Sequence, residues 1–416
     1  MKVPIKNPKL HRKCPCGSKK KYRNCCFKLG VKPDQKFIHP DKKIIEQKLA
    51  QHRISEQYHV AHFGHVSEIK SCIFNGKRHV LLGGSIITAD DPNKEWQTPM
   101  DFLISHLKTT LGNEWFDAQF NLPEKERHII ATWLLDSKST IHDPAQPLKS
   151  LQLNGSAFSV AHLAYDLFVI NNHGCLADKK IADRLIADLK KIANFNGARY
   201  EIFVFATLIR AGFELKLHDQ LSGTTGRVAE CVAIHKQTKV LLQIEAKTRN
   251  VRGVLGALEG QRKNIRLYDK LRDAIEKDVA DPYVVFMDIN LPKLSLDEKN
   301  KELDKIRNEY RKLEEKFPQK LPNIICFTNI PYHYKSDDLL GMKSTFGLIQ
   351  SKFPRVALEN ELEIVNAINV ALNQHGFLPS SFNESELYAA NQESVSICSN
   401  INGGPSHVLD AEKGSG

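Results

Sequence analysis

KVLLQIEAKTRN, residues 239–250, is the stretch on which the fold turns. Read with the period of a strand, Val240, Leu242, Ile244 and Ala246 share one face, while Leu241, Gln243, Glu245 and Lys247 share the other. A very apolar strand thus ends on a carboxylate and a lysine that point the same way. Working outward, 227–235 (RVAECVAIH) and 213–219 (FELKLHD) read as two more strands, separated by a turn at 221–226 (LSGTTG). Before them, 199–211 (RYEIFVFATLIRA) has helical length, carries Glu201 in about its first turn, and stops at Gly212. After them come a basic helix over 255–277, the strand YVVFMDI at 283–289, a mixed-charge helix over 296–317 and the strand NIICFTNI at 323–330. The order α-β-β-β-α-β-α-β predicts an α/β domain over 196–335, a mixed central sheet flanked by helices.

The flanks read differently. Residues 46–195 are mostly helical, with helices expected from about 42 to 69 and over 102–111, 127–135, 158–170 and 181–193. The stretch 72–87 (CIFNGKRHVLLGGSII) predicts a hairpin around Asn75-Gly76. A last amphipathic helix over 359–374 falls in a C-terminal helical segment, 336–376, and the Ser/Asn/Gly-rich residues 377–416 predict a disordered tail. His59, His62 and His65 recur at three-residue spacing without an obvious carboxylate partner, and read as ordinary surface or partly buried histidines.

Charge is concentrated at the N-terminus. The chain has 416 residues and a formal net charge of +11. Residues 1–30 hold ten Lys/Arg and no acid, so the rest keeps 49 of the 59 basic residues against 48 acidic ones. Basicity is therefore a property of the first segment and not of the body. That segment contains CPCGSKKKYRNCC, residues 14–26, and a Pro-containing linker follows over 31–45. Four thiolates at Cys14, Cys16, Cys25 and Cys26 are spaced to wrap one tetrahedral Zn²⁺, with Pro15 and Gly17 suited to a tight turn. So short and charged a segment cannot bury a core, and the metal would supply its folding energy. The alternative is a basic tail carrying reduced thiols. No apolar run approaches a membrane span, and no apolar stretch follows the basic N-terminus as in a secretory leader, which predicts a cytoplasmic protein.

Residues 14–26 closely resemble the SEC-C motif, a small zinc module found at the end of the protein-secretion motor SecA and in many other bacterial proteins. Lys19 stands where that motif usually has glycine. The resemblance implies a docking module over 1–30 for ribosomes, chaperones or other partners. The body, by its order of elements, resembles the PD-(D/E)xK nuclease superfamily, the restriction-endonuclease-like fold. That resemblance places the helix acid at Glu201, the second-strand acid at Glu230 and the third-strand pair at Glu245 and Lys247. The family's second-strand acid is usually Asp, often after Pro; here it is Glu230 after Ala229.

The chemistry suits those residue types. Glu230 and Glu245 would hold a catalytic Mg²⁺, a hard cation that prefers carboxylate and water oxygens. Lys247 would orient or help deprotonate a water and offset charge growing on a phosphate. Residues 246–272 carry eight Lys/Arg against two acids, and Arg249, Arg252, Arg262, Lys263 and Arg266 are candidate phosphate contacts. There is no G-x-x-x-x-G-K-[ST] loop for a nucleotide-driven motor and no dinucleotide glycine signature. The expectation is a Mg²⁺-dependent nuclease acting on nucleic acid, with DNA favoured by the resemblance alone, carried on a zinc docking module. Its rival is a non-catalytic adaptor that docks ribosomes, chaperones or nucleic acid.

Overall fold

A computed structural model describes residues 13, 19–24, 68–74, 77–83, 85–88, 96–141, 154–218, 229–249, 251, 255, 267–277, 279–292, 294–334, 345–379 and 381–383. The chain divides into two compact units, Met1–Ala61 and His62–Gly416.

In the first unit Lys13 and Lys21 form an antiparallel bridge, followed by a short 3-10 turn at Tyr22–Asn24 with Tyr22 buried. Lys19 has φ +57°, the left-handed conformation that glycine adopts most readily. Lysine therefore occupies a backbone position that would suit a glycine. Cys14, Cys16, Cys25 and Cys26 lie outside the described residues.

The second unit begins with strands β1 (Ser71–Phe74), β2 (Lys77–Leu82) and β3 (Ser85–Thr88). β1 and β2 pair antiparallel with Phe74 opposite Lys77, leaving a two-residue link where the Asn75-Gly76 pair predicts one. β3 adds a third strand, so the expected hairpin is a three-stranded meander. Helices α1 (Pro99–Leu111), α2 (Asn113–Phe120), α3 (Ile129–Ile141), α4 (Gly155–Asn172), α5 (Lys179–Lys190) and α6 (Ile192–Arg210) follow. α1 starts on a capping box between Thr98 and Asp101, and Asp178 caps α5. α6 begins seven residues before the predicted start. Phe195, Asn196 and Ala198 are buried, and tertiary packing carries the helix through the weak formers Asn196 and Gly197. Glu201 is consequently mid-helix and not in a first turn. Gly212, at φ +87°, does end the helix region.

Strands β4 (Phe213–Leu217), β5 (Cys231–His235) and β6 (Leu241–Thr248) each run antiparallel to the next. β7 (Tyr283–Asp288) and β8 (Ile324–Asn329) continue parallel to β6, and β9 (Thr345–Gln350) closes the order 4-5-6-7-8-9 antiparallel to β8. Between them lie α7 (Leu267–Ile275) and α8 (Leu296–Lys316), and α9 (Glu361–Gln374) comes last. The fold is thus α/β with a mixed six-stranded sheet. β9 lies inside the stretch expected to be helical; Gly347 in its middle hides a short edge strand whose backbone partner is β8. At the predicted start of the basic helix Leu255 is a turn residue with φ +52°. Nor do residues 68–70 end a helix: Lys70 bridges Asn383, whose backbone brackets Ser71 and Ile69. Residues 381–383 are thereby tied to the edge of β1, inside the stretch expected to be disordered.

Every residue of β7 and β8 is buried, because helices cover both faces of the parallel pair. Leu242, Ile244, Val284, Phe286, Ile324 and Cys326 pack with α4, α6 and α9, in a core that also takes in Ile69, Val80 and α1. Val285, Met287, Ile325 and Phe327 face the other way, against Leu271, Ile275, Ile306 and Leu313 of α7 and α8. Segments read separately as 46–195 and 196–335 share the first of these cores. Among the described residues no helix is long and apolar enough to cross a membrane.

Candidate active site

The pairing of β5 with β6 begins at Cys231 opposite Ile244, extended by a hydrogen bond from the Glu230 N–H to the Ile244 carbonyl. Past that point Glu245, Ala246, Lys247 and Thr248 pair only with β7 among the described residues. At this end of β6 groups from α6, from the approach to β5 and from both faces of β6 meet. They do so around a pocket of about 280 Å³ whose walls include Glu201, Glu230, Lys247, Lys270, Arg184 and Asp188.

Glu230 does not lie within β5, as the sequence suggests, but in the residue just before it. Glu245 is fully buried behind Lys247. Its Oε1 is ion-paired with the Lys247 ammonium. Its Oε2 accepts a hydrogen bond from Lys277 Nζ at 2.6 Å. Arg184 Nη1 lies 4.0 Å from Glu201 Oε2, a loose pair. Lys247 side-chain exposure is 21 %, and the residue lines the pocket.

The electrostatics are those of crowded, desolvated carboxylates. Burial pushes Glu230 up to about 8, helped by the charges of Glu201 and Glu245. Burial likewise pushes Glu201 up to about 7, against the pull of Arg184. For Lys247 burial alone would lower the pKa, but the Glu245 carboxylate beside it holds it above the ordinary lysine value. Lys247 therefore stays an ammonium at neutral pH and cannot accept a proton from water. Lys270 is drawn below the ordinary value by burial and by Lys247. Near pH 7 Lys247 is held as a cation, Glu230 favours its proton and Glu201 stands close to half-protonation.

The predicted residues thus separate into three groups. Glu201, Glu230, Glu245 and Lys247 come together at one place. Arg249 does not join them: it lines a different cavity, of about 550 Å³, with Tyr268 and Arg272 of α7 and Lys305 and Lys312 of α8. Strand pairing ends at Thr248 opposite Asp288, so the alternation that aligns Glu245 with Lys247 no longer governs Arg249. Arg252, Arg262, Lys263 and Arg266 lie outside the described residues. Gln243, on the same strand face as Glu245 and Lys247, hydrogen-bonds Asp281 through Nε2 at 2.9 Å.

The sequence reading misses several participants. Lys277, Arg184, Asp188 and Lys270 sit on helices or just past them, and nothing in their local pattern marks them. Asp288 could have been noticed, since it ends the apolar YVVFMD strand much as Glu245 interrupts its own. It is fully buried, 3.5 Å from Arg199, and raised to about 6 by burial. Asn196 on α6 reaches Thr248 Oγ1 at 3.1 Å and braces the strand end from the helix side.

Among the described residues no three histidine, cysteine or acidic side chains form a metal-holding group. The donor chemistry nevertheless suits a hard divalent cation. Mg²⁺ is commonly held by one or two carboxylates and completes its shell with water. Glu201 and Glu230 are oxygen donors whose charges burial and mutual repulsion disfavour, the condition a cation relieves. The chain matches no protein-family model, no curated protein and no solved structure.

Proposed function

We propose that the second unit is a Mg²⁺-dependent phosphodiesterase of the PD-(D/E)xK kind acting on nucleic acid, DNA more than RNA, and that the first unit is a zinc docking module. The observation that carries this reading is the meeting of Glu201, Glu230 and Lys247 on one pocket wall, with Glu245 held behind Lys247. The order α6-β4-β5-β6-α7-β7, with β4 to β6 antiparallel and β6 and β7 parallel, supports it. So does the basic composition beyond β6.

Each residue has a distinct task. Glu230 and Glu201 would hold the cation, with Glu245 the third, more deeply placed acid. Bound there, Mg²⁺ would polarise a phosphate and lower the pKa of a coordinated water. Lys247, kept protonated by Glu245, donates to a phosphate oxygen and offsets charge growing on it. Its task is charge stabilisation and orientation rather than removal of a proton. Lys270, on the same pocket wall, adds a second cation for the nucleic-acid backbone.

Plasmid DNA and RNA cleavage, with and without Mg²⁺, tests the reading. The wild-type protein should cleave only with Mg²⁺, and Lys247→Ala should lose cleavage while staying folded. A Lys247→Ala protein that cleaves at the wild-type rate refutes it. One observation favours a second reading, the non-catalytic adaptor: both oxygens of Glu245 are already engaged by lysines, as in a purely structural ion pair. On that reading wild type cleaves nothing, and Lys247→Ala lowers stability by less than the about 3–5 kcal/mol of a buried charge left alone, because Lys277 still pairs Glu245.

A further inference from the structure

Lys277 belongs to no motif, yet its ammonium donates a hydrogen bond of 2.6 Å to Oε2 of the most deeply buried acid of the site, Glu245. Lys277 follows α7 by two residues, and its own N–H bonds the Ala274 carbonyl at 3.2 Å. Arg355, far along the chain, locks that turn from outside. Its Nη1 donates to the carbonyls of Lys277 at 2.7 Å and Val279 at 3.2 Å, and its Nη2 donates to Ile275 at 2.6 Å and Lys320 at 3.3 Å. One guanidinium thus satisfies carbonyls that the end of α7 leaves open. It also fixes the backbone from which Lys277 reaches Glu245 Oε2. The Lys277 side chain is 11 % exposed, about half the figure for Lys247, and it is absent from the pocket wall that Lys247 helps form.

Two ammonium groups on one carboxylate are therefore not equivalent. Lys247 faces the cavity and can turn toward a phosphate. Lys277 is set behind, on a pinned turn. A carboxylate flanked by two cations has little negative potential left for a third, and the deficit falls on Glu201 and Glu230.

We propose that Lys277 is a built-in counter-ion that competes with a divalent cation for Glu245, so that this lysine sets the metal affinity of the site. The inference rests on the reading of the pocket as a metal site. It goes further by naming the residue that limits metal binding. It is a positioning residue: it touches neither substrate nor the reacting atoms, and acts through the acid it holds.

The test is calorimetric titration of the full chain with Mn²⁺, an oxygen-preferring probe. Wild type is compared with Lys277→Met, Lys277→Gln and Lys277→Arg, each checked for folding by thermal melting. Lys277→Gln keeps a neutral donor for Oε2 and serves if the Met variant does not fold. Losing a cation this close should tighten Mn²⁺ binding by about tenfold or more. Lys277→Arg should restore the wild-type affinity, which a merely structural loss would not predict. In a Glu245→Gln background the Lys277 substitution should change nothing.

The outcomes separate the two ideas. Tighter binding by the neutral variants supports both. Binding by the neutral variants but not by wild type supports the counter-ion and refutes the metal-dependent enzyme. Wild-type binding with equal or weaker binding by a folded neutral variant overturns the counter-ion and leaves the enzyme reading standing. No binding by any of them overturns both.

Discussion

Replacing Glu230 by glutamine should stabilise this protein at alkaline pH and hardly change it in acid. Glu230 is 7 % exposed, and burial with the charges of Glu201 and Glu245 raises its carboxyl from 4.5 to about 8. At about 1.4 kcal/mol per pH unit, keeping it ionised in the folded chain costs about 5 kcal/mol. The sign follows from where the proton sits. Below pH 4.5 folded and unfolded chains both hold it, and the acid contributes no penalty. As pH rises toward 8 the unfolded chain gives it up first, so stability falls; above 8 the whole cost is present. Glutamine has the shape of the protonated acid and no charge to lose. Part of the cost is repulsion from Glu201, which can itself take up a proton, so the realised gain is about 2–4 kcal/mol at pH 9. Urea unfolding of wild type and Glu230→Gln at pH 5 and pH 9 measures it. At pH 5 the two proteins should differ little. Equal differences at the two pH values, or a less stable variant at pH 9, would refute the picture of a carboxyl that burial and its acidic neighbours hold in the protonated form.

Three further outcomes are expected. Purified protein should contain about one zinc per chain, and a Cys25→Ser/Cys26→Ser variant should lose it by elemental analysis. Lys19→Gly removes a left-handed lysine and should stabilise the first unit by about 1 kcal/mol, read as greater resistance of the zinc to a chelator; an unchanged or faster loss counts against that backbone. Burial lowers His106 and His128 to about 4 and holds His162 and His375 well below the ordinary 6.5. These histidines cost nothing above pH 6.5, where folded and unfolded chains both keep them neutral; as pH falls from 6.5 toward 4 the unfolded chain takes up protons first and stability drops. Glu230 and Glu201 act in the opposite sense over the same range, so the histidine contribution is read as a difference: in thermal melting His106→Phe should lose less stability, or gain more, than wild type between pH 6.5 and pH 4.

The alternation in LLQIEAK was legible because one side of β6 faces a dry core, and that requirement alone fixes which side Glu245 and Lys247 take. The runs YVVFMD and IICFTN were legible because strands covered on both faces need unbroken apolar sequence. The gathering of Glu201, Glu230 and Glu245 could be anticipated, since charges set in apolar elements need compensation. Length, local pattern and these exceptions to it determined the α/β class, three residues of the pocket wall and the buried acid behind it. What compensates the charges was a tertiary matter. Lys277 and Arg355 reach the site from places where their own surroundings are ordinary, and lysine and arginine at solvated helix ends look the same in sequence whether or not a buried acid waits nearby. The length of α6 was likewise decided by what Phe195 and Ala198 pack against, and β9 by the free edge of β8. Local sequence specifies a segment's faces and breaks; which face meets which, and which distant cation ends beside Glu245, depends on the closing of the whole sheet.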